Sequence, residues 1–251
     1  MFDGEQRHEV RRRLLERARQ DDRIVGAAVT GSAARDAEDR WSDVDLFFGV
    51  ARAVAVAEVL GDWSAFVYRE LGAIHHFDVH AGAAVYRAFL LGGLLEVDLG
   101  FAAADGFGPL GDGEFSVVFG DPVARQLSAF DRGHAIGLAW HHVLHARICL
   151  ERGARWQAQY WISAVRDHVV ALACHRLGYP TSYAKGADLL PVVVTERLQE
   201  TLVRTLDSGE LVRALAAATT VLLDELAAAD PEIAAALTQP LLDMAALAQR
   251  P

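Results

Sequence analysis

With 251 residues, 52% of them apolar and 23% charged, the chain is long enough for one large domain or two modest ones and too apolar for disorder. A formal net charge of -10 excludes a broad, passive nucleic-acid surface, which depends on clustered Lys and Arg displacing counterions from phosphates. The N-terminus, MFDGEQRHEVRRRLLERARQDD, is too charged to hold the apolar core of a secretion signal, and no stretch approaches the length that spans a bilayer, so a cytoplasmic protein with no membrane partner is expected.

From Gly4 to Gln20 the apolar positions Val10, Leu14, Leu15 and Ala18 share one helical stripe, which predicts an amphipathic first helix with its arginines facing solvent. RIVGAAVT (Arg23 to Thr30) predicts a short buried strand, with GSAARDA opening a helix directly after it, and SDVDLFFGV (Ser42 to Val50) predicts a second strand. A helix is expected from Arg52 to Leu71, followed by strands in HHFDVHAG and AAVYRAFLLGGLLEVDLGF, where Gly92-Gly93 marks a hairpin. FSVVFGDP (Phe115 to Pro122) is a last strand.

Beyond it the text turns helical: Val123 to Leu150, Arg155 to Leu177, Leu189 to Leu206, Glu210 to Ala229 and Glu232 to Ala248, separated by Gly, Pro or Asp. The expected fold is therefore α+β, a mixed-sheet domain over 1–122 followed by an all-α helical bundle over 123–251. Cys149 and Cys174 lie in apolar helical text without a C-x-x-C pattern and are expected to pack as small hydrophobes.

The chemistry concentrates in GSAARDAEDRWSDVDLFFGV (Gly31 to Val50). Residues two apart in a strand share a face, so Asp43 and Asp45 present adjacent carboxylates while Val44 and Leu46 anchor the other face. Two such charges repel unless a cation lies between them, and hard carboxylate oxygens suit magnesium. Gly31-Ser32 ends the preceding strand, where glycine permits close backbone approach and a following helix would present free N–H groups to phosphate. LLEVDLGF adds a third acid: Asp98 sits between apolar Val97 and Leu99, and Glu96 shares its face as an alternative ligand, Asp98 being placed closer to the strand's end. Three acids on neighbouring strands can hold two divalent ions, one on a triphosphate and one lowering the pKa of an attacking hydroxyl.

Gly31-Ser32, ten intervening residues, and Asp43-Val44-Asp45-Leu46, with Asp98 as third acid, resemble the signature of the DNA polymerase β-like nucleotidyltransferase superfamily. The spelling GSAARD...SDVDL with an appended helical half is most similar to the bacterial antibiotic nucleotidyltransferases that act on aminoglycosides and lincosamides. The resemblance implies magnesium, two ions in all, with ATP or another nucleoside triphosphate as co-substrate, and transfer of a nucleoside monophosphate to a hydroxyl of a small molecule. By the same carry-over Gly31, Ser32, Arg35 and Ser42 bind the nucleotide, Asp43 and Asp45 bind metal, and Asp98 binds metal or acts as the base. An acidic cleft suits a cationic aminoglycoside and argues weakly against tRNA as acceptor.

Two rival readings share these residues: a nucleotidyltransferase of the toxin and antitoxin type acting on protein or RNA, and a non-catalytic nucleotide-binding regulator. A fused ribonuclease of the HEPN type is not expected, because Arg166 is followed by His168 and His175, outside its R-x(4-6)-H spacing. No Walker or G-x-S-x-G pattern occurs, and no G-x-G-x-x-G opens a helix after a strand.

In the helical half, RWQAQYWISAVRDHVV combines Trp156, Tyr160 and Trp161 with Asp167, flat apolar walls with a polar hook, and is the expected acceptor-lining helix. The resemblance to antibiotic nucleotidyltransferases implies that a second-domain acid can serve as base, and Glu151 or Asp167 could do so here, with no motif choosing between them. His76, Asp78 and His80 share a strand face, and His134, His141 and His145 recur along a helix; both sets read as solvated or structural faces rather than zinc sites. The Ala/Leu stripe from Leu211 to Leu226 is a candidate homodimer surface.

Overall fold

In the computed structural model, residues 2–110, 114–125 and 129–246 are described. The chain divides into two compact units, Met1–Leu127 and Ser128–Pro251.

The first unit is a mixed sheet with helices on one face. Helix α1 (Gly4–Gln20) leads into β1 (Ile24–Thr30) and β2 (Val44–Val50); α2 (Val56–Leu71) precedes β3 (Ala73–Ala81), β4 (Ala84–Leu91), β5 (Glu96–Ala103) and β6 (Phe115–Phe119). The strands lie in the order β3-β4-β5-β2-β1-β6. Among the described strands only β2 and β5 pair in parallel, a connection that needs a long crossover, here supplied by α2 and the β3–β4 hairpin. The Gly92-Gly93 signal does mark a hairpin: β4 and β5 are antiparallel across a 3-10 turn in which Gly93 takes a left-handed φ of 76°.

Alternation along β2 sorts the two faces of this sheet. Leu46 and Phe48 join Leu99 and Phe101 of β5 in a core closed by Leu14 and Ala18 of α1 and Val59, Trp63 and Val67 of α2. On the other face Phe47 packs with Ala28, Ala84, Ala102 and Phe107, its ring 6.3 Å from that of Phe107. Phe107 fits between strands because Gly26 and Gly49 carry no side chain: a Cβ there would stand 2.6 and 2.8 Å from it. Asp43, Asp45 and Asp98 belong to this second face, away from the two helices.

The second unit consists of α3 (Arg132–Glu151), α4 (Arg155–Leu177), α5 (Val192–Glu200), α6 (Ser208–Ala229) and α7 (Pro231–Ala245). Ala139 and Val143 of α3, Ile162 and Val165 of α4, and Leu211, Leu215 and Leu222 of α6 form its core. Both cysteines are buried and free. The α6 stripe expected to serve a dimer is spent inside this core. Among the described residues no helix is long and apolar enough to cross a membrane.

Several expected boundaries move, each for a local reason. The first bundle helix begins at Arg132 rather than Val123, where Asp131 caps it by accepting from the His134 amide at 2.8 Å. Residues before the cap are drawn elsewhere: the Val123 amide donates to Phe107 O at 2.7 Å and Arg125 forms a parallel bridge with Leu110. The helix expected over Leu189 to Leu206 is confined to α5, entered after Pro191. Helix α7 ends at Ala245, and the last expected positions, 247 and 248, lie outside the described residues. The segment after β1 is one short 3-10 turn, Gly31–Arg35, not an α-helix, because Asp36 turns left-handed at φ 55° and ends it.

His142 makes the second unit sensitive to acid. Its ring packs 4.8 Å from Trp161 and 5.0 Å from His168, and its Nδ1 is buried without a hydrogen-bond partner among the described residues. Burial, then the neighbouring His168, His141 and His145, pushes its pKa down to about 4. The unfolded chain therefore binds the extra proton first, so the stability this neutral ring supplies is complete above about pH 6.5 and is lost as pH falls toward 4. Because the ring is only partly buried, the loss is about 1 kcal/mol. Urea midpoints at pH 7.5 and 5 should differ by more in the wild type than in His142→Gln; equal shifts would place the acid sensitivity elsewhere.

Candidate active site

Gly31 follows β1 at a left-handed φ of 64°, and a Cβ built on it would lie 2.1 Å from Asp45 Oδ2. The backbone of the Gly-Ser turn therefore rests directly on the second carboxylate of the Asp-Val-Asp motif. The two halves of the sequence signature meet at one point. Asp45 in turn stands opposite Asp98 in the parallel β2–β5 register. It is this register, not position along the strand, that selects Asp98: β5 starts at Glu96, so Asp98 lies near the strand's beginning, and Glu96 is exposed across from Leu90.

The carboxylates sit where charge is costly. Burial, followed by the Asp43 charge and a hydrogen bond with Asp43, raises Asp45 to about 8. Burial, then Glu96 and Asp43, raises Asp98 to about 6. Asp98 Oδ1 is buried with no hydrogen-bond partner among the described residues. Among the described residues no group of three or more His, Cys, Asp or Glu side chains is arranged to hold an ion by itself. Magnesium does not require such a cage, since it takes one or two carboxylates and completes its octahedron with phosphate oxygens and water. Crowded, half-buried carboxylates with an unspent acceptor oxygen fit that demand.

The loop before Asp43 is held from α1. Arg7, buried, donates to the carbonyl oxygens of Asp39 (2.6 Å) and Ser42 (3.1 Å), and Arg11 forks onto the Glu38 carboxylate, which Arg7 also approaches at 3.0 Å. These arginines do not simply face solvent. Sequence carries no local sign of this role, because each partner lies some 30 residues downstream.

Of the other expected nucleotide ligands, Ser32 lies in the 3-10 turn beside Gly31. Ser42 is engaged within its own turn, its hydroxyl donating to Asp39 Oδ1 at 3.1 Å and accepting from the Asp39 amide at 2.9 Å. The exposed Arg35 is paired with Glu114. His76 and Asp78 lie on the helix-covered face of the sheet, opposite the carboxylates, where Tyr68 and Arg87 partner them.

In the second unit Glu151 ends α3 paired with Arg147 at 2.9 Å. Tyr160 is exposed on α4, its ring 4.9 Å from that of the partly buried Trp161, which packs on His142 and His145. Asp167 is exposed and lines a cavity of about 320 Å³ with His168, Thr181 and Tyr183.

No known protein family matches the sequence, and no curated protein is similar to it. Among solved structures, the chain is similar to the crystal structure of an aminoglycoside 6-adenyltransferase from Bacillus subtilis, with a TM-score of 0.38 and 12% identity over 92% of this chain and 95% of that one.

Proposed function

We propose that the chain is a nucleotidyltransferase that moves a nucleoside monophosphate, from ATP in the first instance, to a hydroxyl of a small acceptor of the aminoglycoside or lincosamide type, releasing pyrophosphate. The observation that carries this reading is the seating of the Gly31 backbone on Asp45, with Asp45 in register with Asp98. A phosphate-approach turn and three crowded, half-buried acids have little reason to converge in a merely structural sheet, where like charges held together away from water are a cost.

On this reading Asp43, Asp45 and Asp98 hold magnesium, which when bound would neutralise the triphosphate and lower the pKa of the attacking hydroxyl. The chain's own part is mostly positioning. Gly31 lets the backbone approach the phosphates, with Ser32 next to it. Asp98, with its unpartnered oxygen, is the acid best placed within this unit to take the acceptor proton. On the far side of the carboxylates from Gly31, β4 and β3 continue the same face with Ala88 and Phe77, in register with Asp98. An in-line attack opposite the departing pyrophosphate would bring the acceptor from that side. Tyr160, Trp161, Asp167 and Glu151 are the candidate acceptor contacts of the helical unit.

The test is pyrophosphate release with mass spectrometry of the products, using magnesium, each of the four ribonucleotides, and a panel of aminoglycosides and lincosamides. A drug heavier by one nucleoside monophosphate is expected, and it should vanish in the Asp43→Asn/Asp45→Asn protein. Nucleotide binding without a modified drug would reject the antibiotic assignment and favour a protein or RNA acceptor, or a sensor.

A further inference from the structure

The sheet face that carries Asp43, Asp45, Glu96 and Asp98 is rich in acid, yet on the nucleotidyl-transfer reading it must receive a triphosphate. Acceptor chemistry aside, the phosphates need a cation from the chain. Arg35, the one sequence suggested, is occupied by Glu114.

Arg125 is differently placed. Its guanidinium carbon lies 5.3 Å from the centre of the Phe47 ring. Phe47 is two residues beyond Asp45 on β2 and projects to the same face, about 7 Å along the strand. It also stands opposite Ala28 of β1, the strand that leads into Gly31. Arg125 is partly buried, makes one long hydrogen bond of 3.5 Å to Gly108 O, and has no carboxylate partner among the described residues.

The backbone leading into it is held by its neighbours. Arg125 bridges Leu110, Val123 donates to Phe107 O, and Gly108 packs so closely that a Cβ on it would meet Val123 O at 1.8 Å. A guanidinium laid on an aromatic ring keeps its charge and most of its donors unspent. Arg40, the other arginine near the motif, is instead exposed on the loop and stacked on exposed Trp41.

We propose that Arg125 is a nucleotide-binding residue that grips the β- and γ-phosphates, the part of the triphosphate that leaves as pyrophosphate. The assignment rests on the nucleotidyl-transfer reading. A guanidinium fork matches two phosphate oxygens, which an ammonium cannot reproduce in full.

Calorimetric binding of magnesium pyrophosphate and of ATP to the full chain tests it, with wild type compared with Arg125→Ala, Arg125→Gln and Arg125→Lys. Loss of a charge-assisted fork should weaken pyrophosphate binding about 10- to 100-fold in the Ala and Gln proteins, with partial recovery in Lys. The KM for ATP should rise in parallel while the KM for the acceptor stays unchanged. Thermal midpoints check that each variant is folded, and the Lys and Gln pair decides the matter if the Ala protein is not. Wild-type affinity in Arg125→Gln, with transfer intact, would overturn the assignment of Arg125 alone. A wild type that binds neither pyrophosphate nor ATP would overturn it together with the nucleotidyl-transfer reading.

Discussion

Gly31→Ala is expected to lower nucleotidyl transfer about 10²- to 10³-fold. The added methyl would enter the space of Asp45 Oδ2, 2.1 Å away, and must displace either the carboxylate or the turn. Misplacing a reacting group by about 1 Å costs on the order of 10²-fold in rate, and a left-handed alanine adds about 1 kcal/mol of backbone strain. Gly72→Ala is the control: Gly72 is also left-handed, at φ 72°, but a Cβ there meets nothing within 4 Å. Both variants should lose the stability that left-handed strain costs, read as thermal midpoint, Gly31→Ala losing more through its collision, and only Gly31→Ala should lose pyrophosphate release. Equal losses of activity would mean that the collision with Asp45 is irrelevant.

Asp45→Asn is expected to separate stability from activity. Asp45 is half-buried against Asp43 and in register with Asp98, so its ionised form is costly there. An asparagine of the same shape removes that cost and can donate hydrogen bonds, which should stabilise the metal-free protein by about 1 kcal/mol. Transfer should fall by about 10³-fold or more, since a principal metal ligand is gone. Urea unfolding in a chelating buffer, beside pyrophosphate release, reads both effects. A destabilised and still active Asp45→Asn protein would remove Asp45 from the site.

Much of this site is legible from local pattern, because strand alternation and glycine freedom are local properties. Asp43 and Asp45 share a face for the same reason that Leu46 and Phe48 share the other, and Gly31 is required by a contact that only a glycine permits. What local pattern does not carry is register. Glu96 and Asp98 lie on the same face of β5, and a slip of two residues would exchange them without moving a single apolar side chain off its face. The parallel pairing with β2 makes the choice. Arg125 and Arg7 were hidden for a similar reason, since each acts on segments distant in sequence. The late start of α3 was legible in principle: Asp131 is a capping residue, but the apolar text before it imitates a helix.

The clamp from α1 onto the loop before Asp43 bears on how this site can be divided or transplanted. Arg7 and Arg11 belong to the first helix, yet what they hold is the stretch from Glu38 to Ser42. A cassette running from Gly31 to Asp98 would contain every proposed metal ligand and still leave two backbone carbonyls and the Glu38 carboxylate without their splint. As a module, the site begins with its first helix, although no residue of that helix belongs to the proposed chemistry.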